Sequence, residues 1–333
     1  MTQTTTTADT SPRSGDAPAR RIDFGDLMHR YGTVVILVVL LVVARSMSDV
    51  FLTERNLLNV LRQISGTGLM AVGMLFVILT RGIDLSVGSI AALGSVASAI
   101  LVQQMAPGLA VVATLAIGGA FGLLSGLLVA YLRLPPFVTT LAVMTIARGA
   151  ALIASGGQPI RMGEAGAFIT RFGSGYALGM PQPVLLMLAV FVLAGLVLAF
   201  TRFGRMVKAI GSNAEAVRLS GIGVSRYVVS VYVISGVLAA AAGIISSSRT
   251  GIGSATVGVG AELDAIAAVV IGGASLMGGR GGAINTFIGV FVLGIIANLM
   301  NLASVPGYHQ QVFMGVIIIG AMLLQYGSTF FRR

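Results

Sequence analysis

Long apolar runs separated by short polar stretches fill this chain from residue 31 onward. A helix that crosses a hydrocarbon core needs about 20 mostly apolar residues, and on that measure the sequence predicts about ten spans. They lie near residues 31–47, 64–80, 84–104, 108–131, 137–155, 184–201, 227–247, 263–278, 283–303 and 311–328, the eighth being short. The pattern therefore predicts an all-α polytopic membrane protein in which some spans are short or broken. Residues 1–20 are polar and of low complexity and cannot bury a core, so residues 1–30 read as a disordered cytoplasmic tail. The run behind that tail is long and lacks a clear small-residue cleavage site, which marks an anchor that stays and not a signal peptide. Residues 31–328 form the transmembrane domain, with a cytoplasmic loop at 202–226 within it and a short cytoplasmic tail at 329–333.

The basic positions set the orientation. With the N-terminus inside and the spans alternating, the inner segments carry Arg81, Arg133, Arg202, Arg205, Lys208, Arg218, Arg226, Arg280, Arg332 and Arg333, besides the basic residues of the tail. The outer segments carry only Arg55, Arg62, Arg161, Arg171 and Arg249. That bias places both termini in the cytoplasm. Residues 156–183 form the long outer loop, rich in Gly and Pro, and residues 202–226 the long inner one. Gly118, Gly122 and Gly126 recur at spacing four, a signal for close helix packing within one chain in preference to a dimer face.

Composition supports this picture and removes rivals. The chain is 56% hydrophobic and 10% charged, with a mean hydropathy of +0.96. Soluble domains carry roughly 25% charged residues, so these charges are too few to cover a water-facing surface. The 45 glycines fit membrane helices that approach closely. A net charge of +10 does not indicate a nucleic-acid partner, because the basic residues are scattered and form no dense stripe. Cysteine is absent, and the two histidines, His29 and His309, lie near segment ends. No metal, haem or other cofactor is expected on this chain. An intramembrane enzyme needs a catalytic pair such as Ser–His, paired Asp or HExxH inside the spans, and it is disfavoured because there is no HExxH and both histidines are peripheral. A gradient-driven carrier predicts acidic groups in mid-span, whereas Asp84, Glu262 and Asp264 fall at predicted helix ends.

Three segments carry the informative chemistry. In the inner loop, Ser212, Asn213, Ala214 and Glu215 read as a capping box, with Ser212 as cap and Glu215 reaching back. Gly221 suits the stop of a short helix over about 213–220. That helix is either a coupling element lying in a groove on a cytosolic partner or a solvated connector. The second segment, residues 81–89, puts Asp84 and Ser86 at a helix entrance, as a cap or as the inner mouth of a solute path. The third, residues 249–282, is too Gly-rich at its front for a plain helix, so irregular backbone lining a cavity or buried in protein is expected there. Glu262 and Asp264 then lead a short helix. Arg148 lies near the middle of a span and requires a polar partner. Gly273 to Gly278 starts like a phosphate-binding loop but continues with Gly279 and Arg280, and the one lysine, Lys208, is elsewhere. ATP is not bound by that device, so any ATP motor is another polypeptide. Candidate path or gating residues are Asp84, Ser86, Arg148, Glu262, Asp264 and Asn298.

Residues 82–89 (GIDLSVGS), 209–222 (AIGSNAEAVRLSGI) and 262–282 (ELDAIAAVVIGGASLMGGRGG) resemble, in this order and spacing, the permease subunits of ribose-type bacterial ABC importers. This is the carbohydrate branch of a superfamily that also serves branched-chain amino acids, and the likeness spans about residues 31–328. The resemblance implies about ten spans, a pair of permease chains around a central path, and a bacterial inner-membrane location. It implies a cytosolic ATPase partner that uses ATP and Mg, often with two fused cassettes, and a periplasmic or lipid-anchored sugar-binding protein. It implies import of a sugar or related polyol, with no chemistry on this chain. It also places the ATPase-coupling helix at Gly211, Ser212, Asn213, Ala214, Glu215, Ala216, Arg218 and Gly221.

Overall fold

The computed structural model describes residues 24–307, 309–313, 315–317 and 319–320. The helices are α1 (Phe24–Met47), α2 (Glu54–Leu79), α3 (Val87–Leu101), α4 (Pro107–Ala130), α5 (Pro136–Ser155), α6 (Ala167–Ser174), α7 (Gln182–Phe200), α8 (Arg202–Leu219), α9 (Val224–Thr250), α10 (Ala261–Ile271) and α11 (Ala283–Leu302). Strand β1 (Ile160–Arg161) pairs antiparallel with β4 (Ile252–Gly253), and β2 (Tyr176–Ala177) with β3 (Met180–Pro181). Helices α2, α4, α5, α7, α9 and α11 are long and apolar enough to cross a membrane, and α3 is a shorter apolar helix.

Local chemistry explains the boundaries. Thr53 caps α2 by accepting the Asn56 N–H, and prolines occupy the first turns of α4, α5 and α7. Gly156 and Gly251, both at positive φ, end α5 and α9. Three spans depart from expectation. Helix α2 begins at Glu54, well before residue 64. Helix α10 stops at Ile271 and not near residue 278, because Gly272 and the left-handed Gly273 end it and residues 272–282 form a loop. Helix α1 begins at Phe24, inside the stretch read as tail. Residues 1–23, the C-terminal tail and the end of the last expected span lie outside the described residues.

Helix α9 is the spine. It packs against α2, α3 and α4, and α3 is buried from Val87 to Ala99. The outer faces of α4, α5 and α7 expose Leu109, Leu127, Phe137, Val138, Val192 and Leu193. In lipid, apolar exposure costs nothing, so helix association depends on close approach. The structure supplies it with glycine. A Cβ on Gly122 would sit 2.3 Å from the Tyr232 carbonyl oxygen, and one on Gly118 would sit 2.4 Å from that of Gly236. The glycine repeat of α4 therefore packs against α9 within one chain, as its spacing suggested.

Open and crowded glycines make a direct test. Gly122→Ala should lower the melting temperature of the detergent-purified protein, since overpacking costs about 1–3 kcal/mol. Gly149 sits inside α5 with nothing near its missing Cβ. Gly149→Ala should leave the melting temperature unchanged or raise it, by the helix preference of alanine over glycine of about 1 kcal/mol.

Candidate functional site

Parts of the three informative segments, namely Arg81, the kink of α8 and the loop after α10, meet at one end of the bundle. Helix α8 is broken within its length: Asn213 is extended, at φ −157° and ψ 93°, and splits the helix in two. Its side-chain oxygen accepts the Ala216 N–H at 3.0 Å, so Asn213 caps the second half. This corrects the expected Ser212–Glu215 box. Ser212 still belongs to the first half, where its hydroxyl donates to the Lys208 carbonyl at 3.1 Å, and Glu215 pairs with Arg218 at 2.7 Å. The second half ends as expected. Gly221, at φ +77°, donates to Arg218, and Ile222 donates to Val217, which is a Schellman stop. Residues 212–216 and 218–221 are exposed, Leu219 to 79%.

Breaking the helix frees the Ser212 carbonyl, and Arg81 takes it. The Arg81 guanidinium donates to Ser212 at 2.9 Å and to the Met277 carbonyl at 2.7 Å. Arg81 itself follows the end of α2 in the left-handed region, at φ 65°. Such a conformation costs an L-residue about 1–2 kcal/mol, and the two side-chain bonds offset it. Backbones meet beside it. A Cβ on Gly211 would lie 1.8 Å from the Leu79 carbonyl oxygen and 2.4 Å from the Gly279 nitrogen. The Gly279 N–H donates to that same Leu79 carbonyl at 3.0 Å. The end of α2, the kink of α8 and the loop after α10 thus form one junction.

A second knot lies just inside it. Asp84 is fully buried, and its carboxylate accepts the Ser86 N–H at 3.0 Å, the Ser86 hydroxyl, and the Ser235 hydroxyl of α9 at 2.7 Å. Thr140 of α5 bonds both Ile83 and Leu85, and a Cβ on Gly82 would strike the Tyr232 hydroxyl at 2.6 Å. Asp84 and Ser86 therefore clamp the α2–α3 connection to α5 and α9.

The third cluster gives Arg148 its partners. Between α9 and α10 the chain is irregular, as expected, apart from the short strand β4. Arg148 Nη1 donates to the carbonyls of Ala255 and Val257, at 2.6 and 2.8 Å, and Nε donates to Ser89 of α3 at 3.2 Å. From the other side, Ser254 N–H donates to Ser95 at 3.2 Å. Glu262 and Asp264 occupy the first turn of α10. Glu262 lies near enough for its charge to act on Arg148, without ion-pair contact, and its Oε2 is buried with no hydrogen-bond partner. That oxygen would lie 2.3 Å from a Cβ on Gly88, and the Gly258 backbone carbonyl oxygen would lie at the same distance, so glycine is required there.

The structure thus brings Arg148 and Glu262 together and keeps Asp84 with Ser86 in a different cluster. Asn298 is elsewhere. It exchanges two amide hydrogen bonds with Asn56 of α2, at 2.9 and 3.1 Å, and joins α11 to α2. Sequence reasoning placed Arg81 among inner charges without seeing its tie, and it missed Ser89, Asn56, Tyr232 and Ser235. No short-range signal reveals these, because their partners are distant in sequence.

Comparison with known proteins fits this geometry. Residues 56–322 match the family described as branched-chain amino acid transport system, permease component. The chain is 43% identical over 295 residues to the ribose import permease protein RbsC of Escherichia coli K12, covering 88% of this chain and 92% of that one. It is 42% identical over 306 residues to RbsC of Bacillus subtilis 168, covering 92% and 95%. It is 36% identical over 315 residues to the L-arabinose ABC transporter permease AraH of Azospirillum brasilense, covering 94% and 92%. No solved structure is significantly similar. With this coverage and six apolar spans among the described residues, the chain belongs to the permease-component family of bacterial ABC importers and is a multi-pass protein of the inner membrane.

Proposed function

We propose that this chain is the membrane-spanning subunit of an ATP-driven importer that moves a monosaccharide across the inner membrane by alternating access. The substrate is a pentose, a hexose or a related polyol, and the names of the relatives make ribose and arabinose the first sugars to test. About ten spans with both termini in the cytoplasm fit the apolar runs and the basic bias of the α8 end. Two such chains, identical or paralogous, would enclose the path. A cytosolic ATPase with tandem cassettes supplies the ATP and Mg chemistry, and a periplasmic or lipid-anchored binding protein delivers the sugar.

The observation that carries this reading is the junction around Arg81. An exposed, well-capped helical turn, residues 214–220, sits beyond a kink whose carbonyl is held by the bundle. Such a turn suits a groove on a partner. Motion of the turn passes through Ser212 to Arg81 and through Gly211 to Leu79 and Gly279. From there it reaches α2 and the loop that leads back to α10, whose far end carries Glu262 beside Arg148. Rigid-body motion of packed elements then opens the path to one side or the other.

Three experiments test this. Tagged chain extracted in mild detergent should bring down a cassette ATPase whose hydrolysis is stimulated by sugar-loaded binding protein. Glu215→Arg, which puts a cation beside Arg218 on the exposed turn, should abolish that co-purification or the stimulation. Purification alone with ATP-independent sugar flux in liposomes would overturn the importer reading. Arg81→Gln should keep the ATPase bound but lower sugar uptake about tenfold or more, because the docking turn loses its charge-assisted link to the bundle. Uptake equal to wild type would remove Arg81 from the coupling route. Arg148→Met should lower assembly of the chain in the membrane, because two buried carbonyls lose their donor, at about 1–3 kcal/mol each.

A further inference from the structure

At the end of α2 opposite the α8 junction, a cavity of about 630 Å³ lies among α2, α4, α6, α7 and α9. Its walls are Leu69, Leu115, Val190, Ala241 and Ile245, with Phe172 of α6 over them. Only Arg171 and Gln182 are polar. Water needs two or more polar partners to settle in a cavity, so this space favours hydrocarbon. Phe168 and Leu186 on its rim are exposed. Helix α6 lies across the end of α9, where Gly173 meets the Ser248 backbone.

Arg62 precedes Leu69 by two turns of α2 and Arg249 follows Ile245 by one turn of α9, so two cationic groups share the helix faces that line this cavity. The Nε and Nη2 atoms of Arg62 are buried and have no hydrogen-bond partner. The Arg62 guanidinium lies over the Tyr176 ring, 5.1 Å from its centroid. Tyr176 follows Gly175, against which the Gln182 side chain of the cavity wall rests. Arg249 approaches from α9 and donates to the Arg62 carbonyl at 3.5 Å. The ion pairs among the described residues are Arg45–Asp49 and Arg218–Glu215, so neither Arg62 nor Arg249 is neutralised by another described residue. Buried guanidinium donors without an acceptor are costly.

Each half of this arrangement answers the other. An inorganic anion would satisfy Arg62 and leave the cavity open, and a neutral lipid would fill the cavity and leave Arg62 unpaired. We infer that this end of the bundle holds one anionic phospholipid per chain, with its phosphate on Arg62 and Arg249 and an acyl chain in the cavity beneath α6. The site shares no residue with the α8 junction or with the Arg148 cluster, and its ligand is a component of the membrane and not the transported solute.

The test is native mass spectrometry of the full chain in mild detergent, delipidated and then titrated with phosphatidylglycerol, phosphatidylcholine of the same acyl chains, or glycerol phosphate. Phosphatidylglycerol should bind about tenfold more tightly than phosphatidylcholine, as for loss of one charge-assisted hydrogen bond. Glycerol phosphate should not bind in the same range. Arg62→Gln should erase the preference between the two lipids, and Ala241→Phe should weaken both. Should Arg62→Gln fail to fold, Arg249→Gln reads the same preference. Equal binding of the two lipids to wild type, binding of glycerol phosphate as tight as that of phosphatidylglycerol, or full binding by Ala241→Phe would each overturn the proposal.

Discussion

A backbone carbonyl that leaves the helix inside a bilayer has no water to bond, and each unsatisfied group costs several kcal/mol. The irregular chain between Gly251 and Gly260 has such groups to satisfy, and much of the architecture follows from how they are met. Arg148 takes the carbonyls of Ala255 and Val257, and Ser95 takes the Ser254 N–H. The same bonds make a guanidinium tolerable in mid-helix, because an intramembrane charge must find polar company. Charge and irregular backbone stabilise each other, and neither is tenable alone. Residues 82–86 repeat the solution on a smaller scale, with Asp84, Thr140 and Ser235 supplying the partners.

Close packing makes those bonds reachable. Lipid chains are as apolar as leucine, so burial of apolar side chains does not draw membrane helices together. Glycines facing α9 from α2, α3 and α4 let backbones touch instead: Gly73 meets Ser235, Gly94 meets Ala240, and Gly122 meets Tyr232. With α9 so enclosed, short side chains such as serine and threonine span the gaps. A longer residue at any of these contacts would separate the helices and strand the polar groups between them.

The polar clusters also share elements. Helix α2 ends at the Arg81 junction, and near its other end Asn56 ties it to Asn298 of α11. The loop held by Arg81 leads back to α10, whose first turn carries Glu262 beside Arg148. A permease needs parts that move as units between its cytosolic and its outer face. Rigid helices with polar ties at both ends provide such parts, and the kink at Asn213 confines the break to the point where the exposed turn leaves the bundle.

Much of this was legible in the sequence because it depends on residues a few positions apart. The apolar runs located α4, α5, α7, α9 and α11 closely. Gly221 marked the stop of a helix, Glu262 and Asp264 the start of another, and the glycines after residue 250 an irregular segment. Rules of capping, propensity and span length act over one or two turns and need no knowledge of the rest of the chain. Tertiary structure decided what those rules leave open. It made Asn213 and not Ser212 the cap, because Arg81 and Gly279 fix the backbone before it. It ended α10 early, where Gly272 lies against α11. It joined Asn56 to Asn298 and gave Arg148 the carbonyls of a loop more than a hundred residues away. Such partners are set by which helix faces approach, and that is a property of the packed bundle that no local pattern encodes.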